Sequence, residues 1–294
     1  METKLNEYIQ KNQTYLNQAL EDAIEDKDIP EPLKSSMLYS IKAGGKRIRP
    51  ILMIATIEAF GGDKNVILPA ALALEFVHTY SLIHDDLPAM DDDDLRRGMP
   101  TNHIEYDEAT AILAGDGLLT QSFELITNAE HLTTDQKLFA VKRLSEAAGS
   151  RGMVAGQILD MQAENTQVEL DELKQIHHLK TGQLLIYAME IAAYVAGATE
   201  EQLDKITACA EELGLLFQIQ DDILDIYGDE DKIGKAVGSD EENDKSTYPK
   251  LLGIDGAIKE KEEKKARANK LLNEASIDQT MLAELIQYLS NRDQ

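Results

Sequence analysis

Residues 68–94 read LPAALALEFVHTYSLIHDDLPAMDDDD. From Leu68 to Ile83 the apolar residues Leu68, Leu72, Leu74, Phe76, Val77, Leu82 and Ile83 cover nearly every face of a 3.6-residue repeat. That pattern predicts a helix buried on all sides, as at the centre of a large bundle. Six carboxylates follow within ten residues: Asp85, Asp86 and Asp91 to Asp94. A solvated acidic face does not normally end a buried helix, and the helix dipole disfavours Asp85 and Asp86 at its C-terminal end. A cation must compensate. Ligands that are all oxygen suit Mg²⁺, Mn²⁺ or Ca²⁺. An EF-hand is excluded, because counting back from Gly98 puts Leu95 where an acidic ligand should stand. The plainer reading is an acidic loop that binds nothing.

Working outward, a second run has the same character. Leu213, Leu215, Leu216, Phe217, Ile219, Ile223, Leu224 and Ile226 predict another buried helix, and it carries Asp221, Asp222 and Asp225. Asp221 and Asp225 are four apart and share one helix face, where like charges repel. Unpaired carboxylates among such neighbours are costly. Either cluster alone is a weak signal. Together they predict metal ions held in a shared cavity.

The rest of the chain supports an all-α reading. The composition favours Ala, Leu, Glu, Lys, Gln and Met, and no proline occurs between Thr101 and Tyr248. Period-two alternation of Val, Ile and Thr is scarce, so no strands are expected. Sharp breaks fall at Gly44-Gly45, Gly61-Gly62-Asp63 and Arg97-Gly98-Met99-Pro100. Residues 228–249 read as a long polar loop. Lys259 to Lys270 reads as a solvated helix face. No compositional linker and no repeat divides the chain. The expected architecture is therefore one domain over residues 1–294, a bundle of long antiparallel helices around a deep central cavity.

The basic residues are grouped. Gly44-Gly45-Lys46-Arg47-Ile48-Arg49-Pro50 places three cations after two glycines. It is not a Walker loop, because Ser40 replaces the first glycine and Arg47 follows the lysine. Glycines beside Lys and Arg still suit phosphate oxygens. Arg96 and Arg97 follow the first acidic cluster, and arginine makes bidentate phosphate contacts; the plainer reading is neutralisation of the nearby aspartates. Lys180-Thr181-Gly182 opens another apolar helix, and Lys235 and Lys245 punctuate the long loop. Carboxylates, divalent metal and several cations, walled by apolar helices, fit a substrate with a diphosphate head and an apolar tail.

Charge narrows the classes further. Among 294 residues, 54 Asp and Glu stand against 29 Lys and Arg, a net charge of −25. That excludes nucleic acid or an anionic membrane as the main partner. No run approaches 18 uninterrupted apolar residues, so no membrane insertion is expected. Met1-Glu2-Thr3-Lys4 has no signal-peptide character, which points to the cytoplasm. The lone Cys209 allows no internal disulfide or thiolate zinc site, and it reads as a buried small hydrophobe.

These motifs closely resemble the trans-isoprenyl diphosphate synthase family, and most closely its bacterial fifteen-carbon branch. The resemblance runs through Gly44–Pro50, Tyr80–Pro100, Gly156–Asp160, Lys180–Gly182, Phe217–Asp225 and Gly234–Pro249. The pair DDxxxxD at Asp85–Asp91 and DDxxD at Asp221–Asp225 is its most specific part. The resemblance implies a homodimer that joins isopentenyl diphosphate head-to-tail to dimethylallyl and then geranyl diphosphate, giving farnesyl diphosphate. It implies three Mg²⁺ ions, replaceable by Mn²⁺, held by Asp85, Asp91 and Asp221, with Asp86, Asp222 and Asp225 as further metal candidates. It implies that Arg96, Lys180, Lys235 and Lys245 bind the allylic diphosphate. Thr181 and Gln218 would stabilise the allylic cation. Lys46, Arg49, His78 and Arg97 would bind isopentenyl diphosphate. Gln157 and Asp160 are further contacts to metal, water or lysine.

His78 has a plainer reading as a hydrogen-bonded core histidine, and His84 receives no role. Product length should depend on the floor of the cavity. In the resembled family a bulky aromatic five residues before the first motif stops elongation. Tyr80 stands there, roughly 7.5 Å down the helix, with Ser81 four before. Tyr80 thus favours a fifteen-carbon product. A geranylgeranyl diphosphate synthase, a class I terpene cyclase and a non-catalytic partner subunit are the alternatives. The cyclase is disfavoured by the all-aspartate second motif, and the subunit by the presence of both motifs.

Overall fold

The computed structural model describes residues 2–164, 166–227 and 246–292. Lys235 and Lys245 lie outside the described residues. Thirteen α-helices are described: α1 Glu2–Glu25, α2 Leu33–Lys42, α3 Ile48–Ala59, α4 Lys64–Asp85, α5 Asn102–Glu105, α6 Glu108–Thr127, α7 Thr134–Ala148, α8 Met153–Ala163, α9 Leu170–His177, α10 Gln183–Val195, α11 Glu200–Tyr227, α12 Tyr248–Glu274 and α13 Thr280–Asn291. A π-turn, His178–Gly182, separates α9 from α10. The all-α class is as expected, with one correction. Leu95–Arg96 (β1) and Met99–Pro100 (β2) form a small antiparallel hairpin. Its two linking residues, Arg97 (φ 55°) and Gly98 (φ 76°), both have positive φ, the conformation of a tight hairpin turn. Two-residue strands are too short to show an alternation pattern.

The helices group into two compact units, residues 1–51 with 65–141 and residues 52–64 with 142–294. In the first, α2 packs on α1, α5 and α6. Helix α4 is its core helix, with Ala70, Ala71, Ala73, Leu74, Phe76 and Val77 fully buried. Each large apolar side chain so buried contributes about 1.5–3 kcal/mol. The helix begins at Lys64 rather than Leu68 and keeps Pro69 inside it. By length and composition α4 could cross a membrane, yet 67% of its most apolar stretch is already buried in protein.

In the second unit α11 packs along α12 and also meets α9, α10, α13 and the π-turn. Thr247 caps α12 by accepting from the Lys250 N–H, and Gly253 (φ 69°) interrupts that helix. The charged run Lys259–Lys270 is not purely solvated, since Lys264 and Arg267 pair with Glu212 of α11 at 3.3 and 3.1 Å. Cys209 is fully buried, which pushes its thiol up to about 12.

Candidate active site

In the first unit the Gly44–Pro50 turn is held by two side-chain donors. The Arg97 guanidinium donates to the Gly44 carbonyl, and Gln13 donates to the Gly45 carbonyl at 2.6 Å. A Cβ at Gly45 would lie 2.7 Å from the Arg97 guanidinium, so only glycine allows that approach. Arg47 takes the left-handed conformation (φ 53°), which a Cβ-bearing residue adopts only under constraint. The constraint is a buried network. Nε donates to Asn17 Oδ1 (2.9 Å), Nη1 to Glu75 Oε1 (2.7 Å) and Nη2 to the Ile41 carbonyl (2.6 Å).

Two residues on, Arg49 Nη1 lies 3.2 Å from His78 Nε2. The guanidinium can only donate, so His78 Nε2 accepts and its ring is neutral. Burial, then the charges of Arg49, Arg97, Arg47 and Arg96, hold the His78 pKa well below the ordinary value. Arg49 is thus the hydrogen-bond partner of a neutral imidazole on which three further arginine charges act, an arrangement that also fits the plainer reading of His78 as a hydrogen-bonded histidine.

The acidic loop adjoins this cluster in sequence and through Arg96. The Asp91 N–H donates to the Asp85 carbonyl at 2.8 Å, and Asp92 turns with φ 54°. Asp86 is 3% exposed and paired to Arg96, whose Nε donates to both carboxylate oxygens at 2.6 and 2.9 Å. Burial pushes the Asp86 carboxyl up while Arg96 pulls it down. Arg96 also reaches Asp93 at 3.5 Å. Neutralisation therefore describes Arg96 and not Arg97. One turn before the acidic loop, Tyr80 is buried, and its ring meets His84 edge-on at 5.6 Å. His84 Nε2 lies 3.1 Å from the Ile112 carbonyl, and a Cβ at Gly115 would strike its ring. Ser81 donates to the His78 carbonyl at 2.9 Å.

The second unit carries the other acidic motif. Asp221 is paired to Arg292, which also donates to the Phe217 carbonyl (3.2 Å) and lies 3.9 Å above the Phe217 ring. Asp222 is 6% exposed and accepts from the Tyr248 N–H at 2.8 Å, so it tethers the start of α12. Asp225 and Gln218 are half-buried on the same helix. Lys180 and Thr181 sit in the π-turn, not in a regular helix, with Lys180 2.6 Å from Asp160. Two glycines grip that turn. A Cβ at Gly156 of α8 would fall 2.2 Å from the Lys180 nitrogen, and one at Gly214 of α11 would fall 2.9 Å from Gly182 Cα. Near by, the Gln157 Nε2 is buried without a hydrogen-bond partner. His177 stacks on Tyr248 at 5.7 Å, and burial lowers its pKa to about 4.

Among the described residues no three His, Cys, Asp or Glu side chains converge as a metal-binding group. The six candidates divide. Asp86 and Asp222 are buried and Asp85, Asp221 and Asp225 half-buried, while Asp91 is exposed; Arg96, the Tyr248 N–H and Arg292 engage Asp86, Asp222 and Asp221 in turn. Sequence reasoning missed Glu75, Gly214 and Arg292. A single charge inside an apolar helix was a usable signal for Glu75. Arg292 left none.

The chain matches the polyprenyl synthetase family over residues 30–289. It is 47% identical over 295 residues to the farnesyl diphosphate synthase of Bacillus subtilis (strain 168), with 100% of both chains covered. It is 45% identical over 283 residues to the chloroplastic geranylgeranyl pyrophosphate synthase of Catharanthus roseus, covering 95% of this chain and 78% of that one. The crystal structure of geranyltransferase from Legionella pneumophila superposes with a TM-score of 0.85 at 35% identity, covering 99% and 97% of the two chains. Its helices, paired aspartate motifs and whole-length identity make this chain a member of the polyprenyl synthetase family.

Proposed function

We propose that this protein is a prenyltransferase that condenses isopentenyl diphosphate with dimethylallyl and then geranyl diphosphate, releasing farnesyl diphosphate. The observation that carries the reading is the Arg49–His78 contact beside the glycine-rich basic turn, together with the Arg96–Asp86 pair within the first acidic motif. A basic turn beside a cation-binding acidic loop suits a diphosphate. The 47% identity over the whole chain to a farnesyl diphosphate synthase supports the product.

The residues divide the work. Asp85, Asp91 and Asp221 would hold Mg²⁺, or Mn²⁺ in its place, with Asp225 as a further candidate, and the ion would supply Lewis-acid stabilisation of the diphosphate leaving group. Arg96 and Lys180 grip the same diphosphate, their side chains held by ion pairs with Asp86 and Asp160. Lys235 and Lys245 are expected to join them. The oxygen dipoles of Thr181 and Gln218 stabilise the allylic cation, and apolar walls exclude water from it. Lys46, Arg49 and Arg97 bind isopentenyl diphosphate, and His78 orients Arg49 by accepting its hydrogen bond. A histidine with so low a pKa is a poor base near neutrality, which fits removal of the final proton by the released diphosphate. A cytoplasmic homodimer, acting on free diphosphates and needing no nucleic acid or membrane, is the setting this reading implies.

Incubation with isopentenyl diphosphate, Mg²⁺ and either allylic partner tests the reading, and no condensation with either would reject it. Asp85→Ala and Asp221→Ala should each lower kcat by about 10³-fold or more if they hold the metal. Full activity in either rejects its role. Tyr80→Ala should move products towards twenty carbons, read by chromatography of the extracted prenyl alcohols. A variant that still stops at fifteen shows that Tyr80 is not the floor.

A further inference from the structure

Arg47 stands between the two cations assigned to isopentenyl diphosphate, Lys46 and Arg49, yet its own charge is sequestered. Its side chain in the ion pair is 1% exposed and that of Glu75 is 3% exposed. All three of its donor nitrogens are engaged inside the unit, by Asn17, Glu75 and the Ile41 carbonyl. A group so enclosed is shielded from a substrate by burial. Its backbone nevertheless holds the left-handed conformation, within a turn whose Gly44 and Gly45 carbonyls are bound by Arg97 and Gln13. A strained backbone persists only where its surroundings over-determine it, and such positions cluster at ligand clamps. Helix α3 starts at the next residue, Ile48, and Arg49 meets His78 from its first turn. Glu75 and His78 are three apart on α4, on adjoining positions of one helix face. One helix thus holds Arg47 with one residue and Arg49 with the next.

We propose that Arg47 and Glu75 form a buried positioning pair that fixes the Gly44–Arg49 turn, so that Lys46 and Arg49 present their charges to the diphosphate of isopentenyl diphosphate while neither member of the pair touches it. The pair also acts on the field of the site. Glu75 also acts on Arg97, where its charge opposes the repulsion of Arg47, Arg96 and Arg49. The inference rests on the synthase reading for the ligand's identity, but its test does not require turnover.

Removing one partner strands a buried charge, whereas replacing both with apolar residues of similar volume is often neutral for folding. The informative variant is therefore Arg47→Met with Glu75→Leu. Arg47→Lys is the milder companion, because it keeps a charge for Glu75 and loses the fork that reaches Asn17 and Ile41. Calorimetric titration with isopentenyl diphosphate is compared with titration by a non-reactive thio analogue of geranyl diphosphate in the presence of Mg²⁺. The double variant should melt cooperatively and bind isopentenyl diphosphate at least about tenfold more weakly, with the allylic analogue changed less than about twofold. Arg47→Lys should weaken isopentenyl diphosphate alone, by about threefold. If the double variant does not melt cooperatively, Arg47→Lys decides. Unchanged affinity for isopentenyl diphosphate in a folded variant overturns the proposal, and so does an equal loss for both ligands, which is general damage. A wild-type chain that binds isopentenyl diphosphate but condenses nothing overturns the synthase reading and leaves the positioning role standing. A wild-type chain that binds none overturns both.

Discussion

Lys46 and Arg47 are neighbours with the same charge, and the fold treats them differently. Arg47 is paired in the core while Lys46 is half-buried in the turn. Glu75→Leu alone would strand the Arg47 charge, and the unfolding free energy measured in urea should fall by about 3–5 kcal/mol. A loss under about 1 kcal/mol would mean that water reaches the pair. His177 is a second residue whose surroundings decide its chemistry. Burial lowers its pKa from 6.5 to about 4, with Asp160 opposing and Lys180 reinforcing. The unfolded chain therefore takes up this proton first as pH falls. The stabilisation is complete above pH 6.5 and is lost progressively down to about 4, amounting to about 3 kcal/mol. Unfolding curves between those pH values should be flatter in His177→Leu than in the wild type; identical slopes would place the transition on other groups, of which His78 shifts in the same direction.

At the scale of elements, the π-turn His178–Gly182 exists because its backbone is gripped by glycines of α8 and α11. A wider turn inserted into a helix is tolerated where neighbouring packing supports it, and it occurs often at functional sites. Gly156→Ala puts a methyl 2.2 Å from the Lys180 nitrogen, and neither backbone can yield cheaply. We expect a stability loss of about 1–3 kcal/mol and a rise in KM for the allylic substrate, because Lys180 and Thr181 move. If KM for that substrate stays at the wild-type value, the turn does not place Lys180 for binding. In the sequence Gly156 and Gly182 were visible only as parts of family motifs. Gly214 was not singled out, since a glycine inside an apolar helix does not say which backbone it must admit.

At the scale of the molecule, the net charge of −25 is mostly surface. The two acidic motifs hold nine carboxylates, and the acidic residues that remain still outnumber the basic ones. Such a surface repels itself at low ionic strength, and at about 0.15 M salt the repulsion is screened beyond about 8 Å. The thermal midpoint should therefore rise as NaCl is raised from about 10 to about 150 mM. A midpoint that falls would show that attractive pairs such as Lys264–Glu212 outweigh the repulsion. Hydrophobic periodicity is a local property, so the sequence by itself determined the helical class and the buried helices α4 and α11. Motif spacing singled out the carboxylates and cations proposed for the chemistry. What each charge does was decided only in three dimensions, because a partner's distance along the chain says nothing of its distance in space. Asp86 and Arg96 are ten residues apart, Arg47 and Glu75 twenty-eight, and Asp221 and Arg292 seventy-one. Burial strengthens the Arg47–Glu75 pair most and the half-exposed Asp221–Arg292 pair least, and burial belongs to the tertiary structure alone.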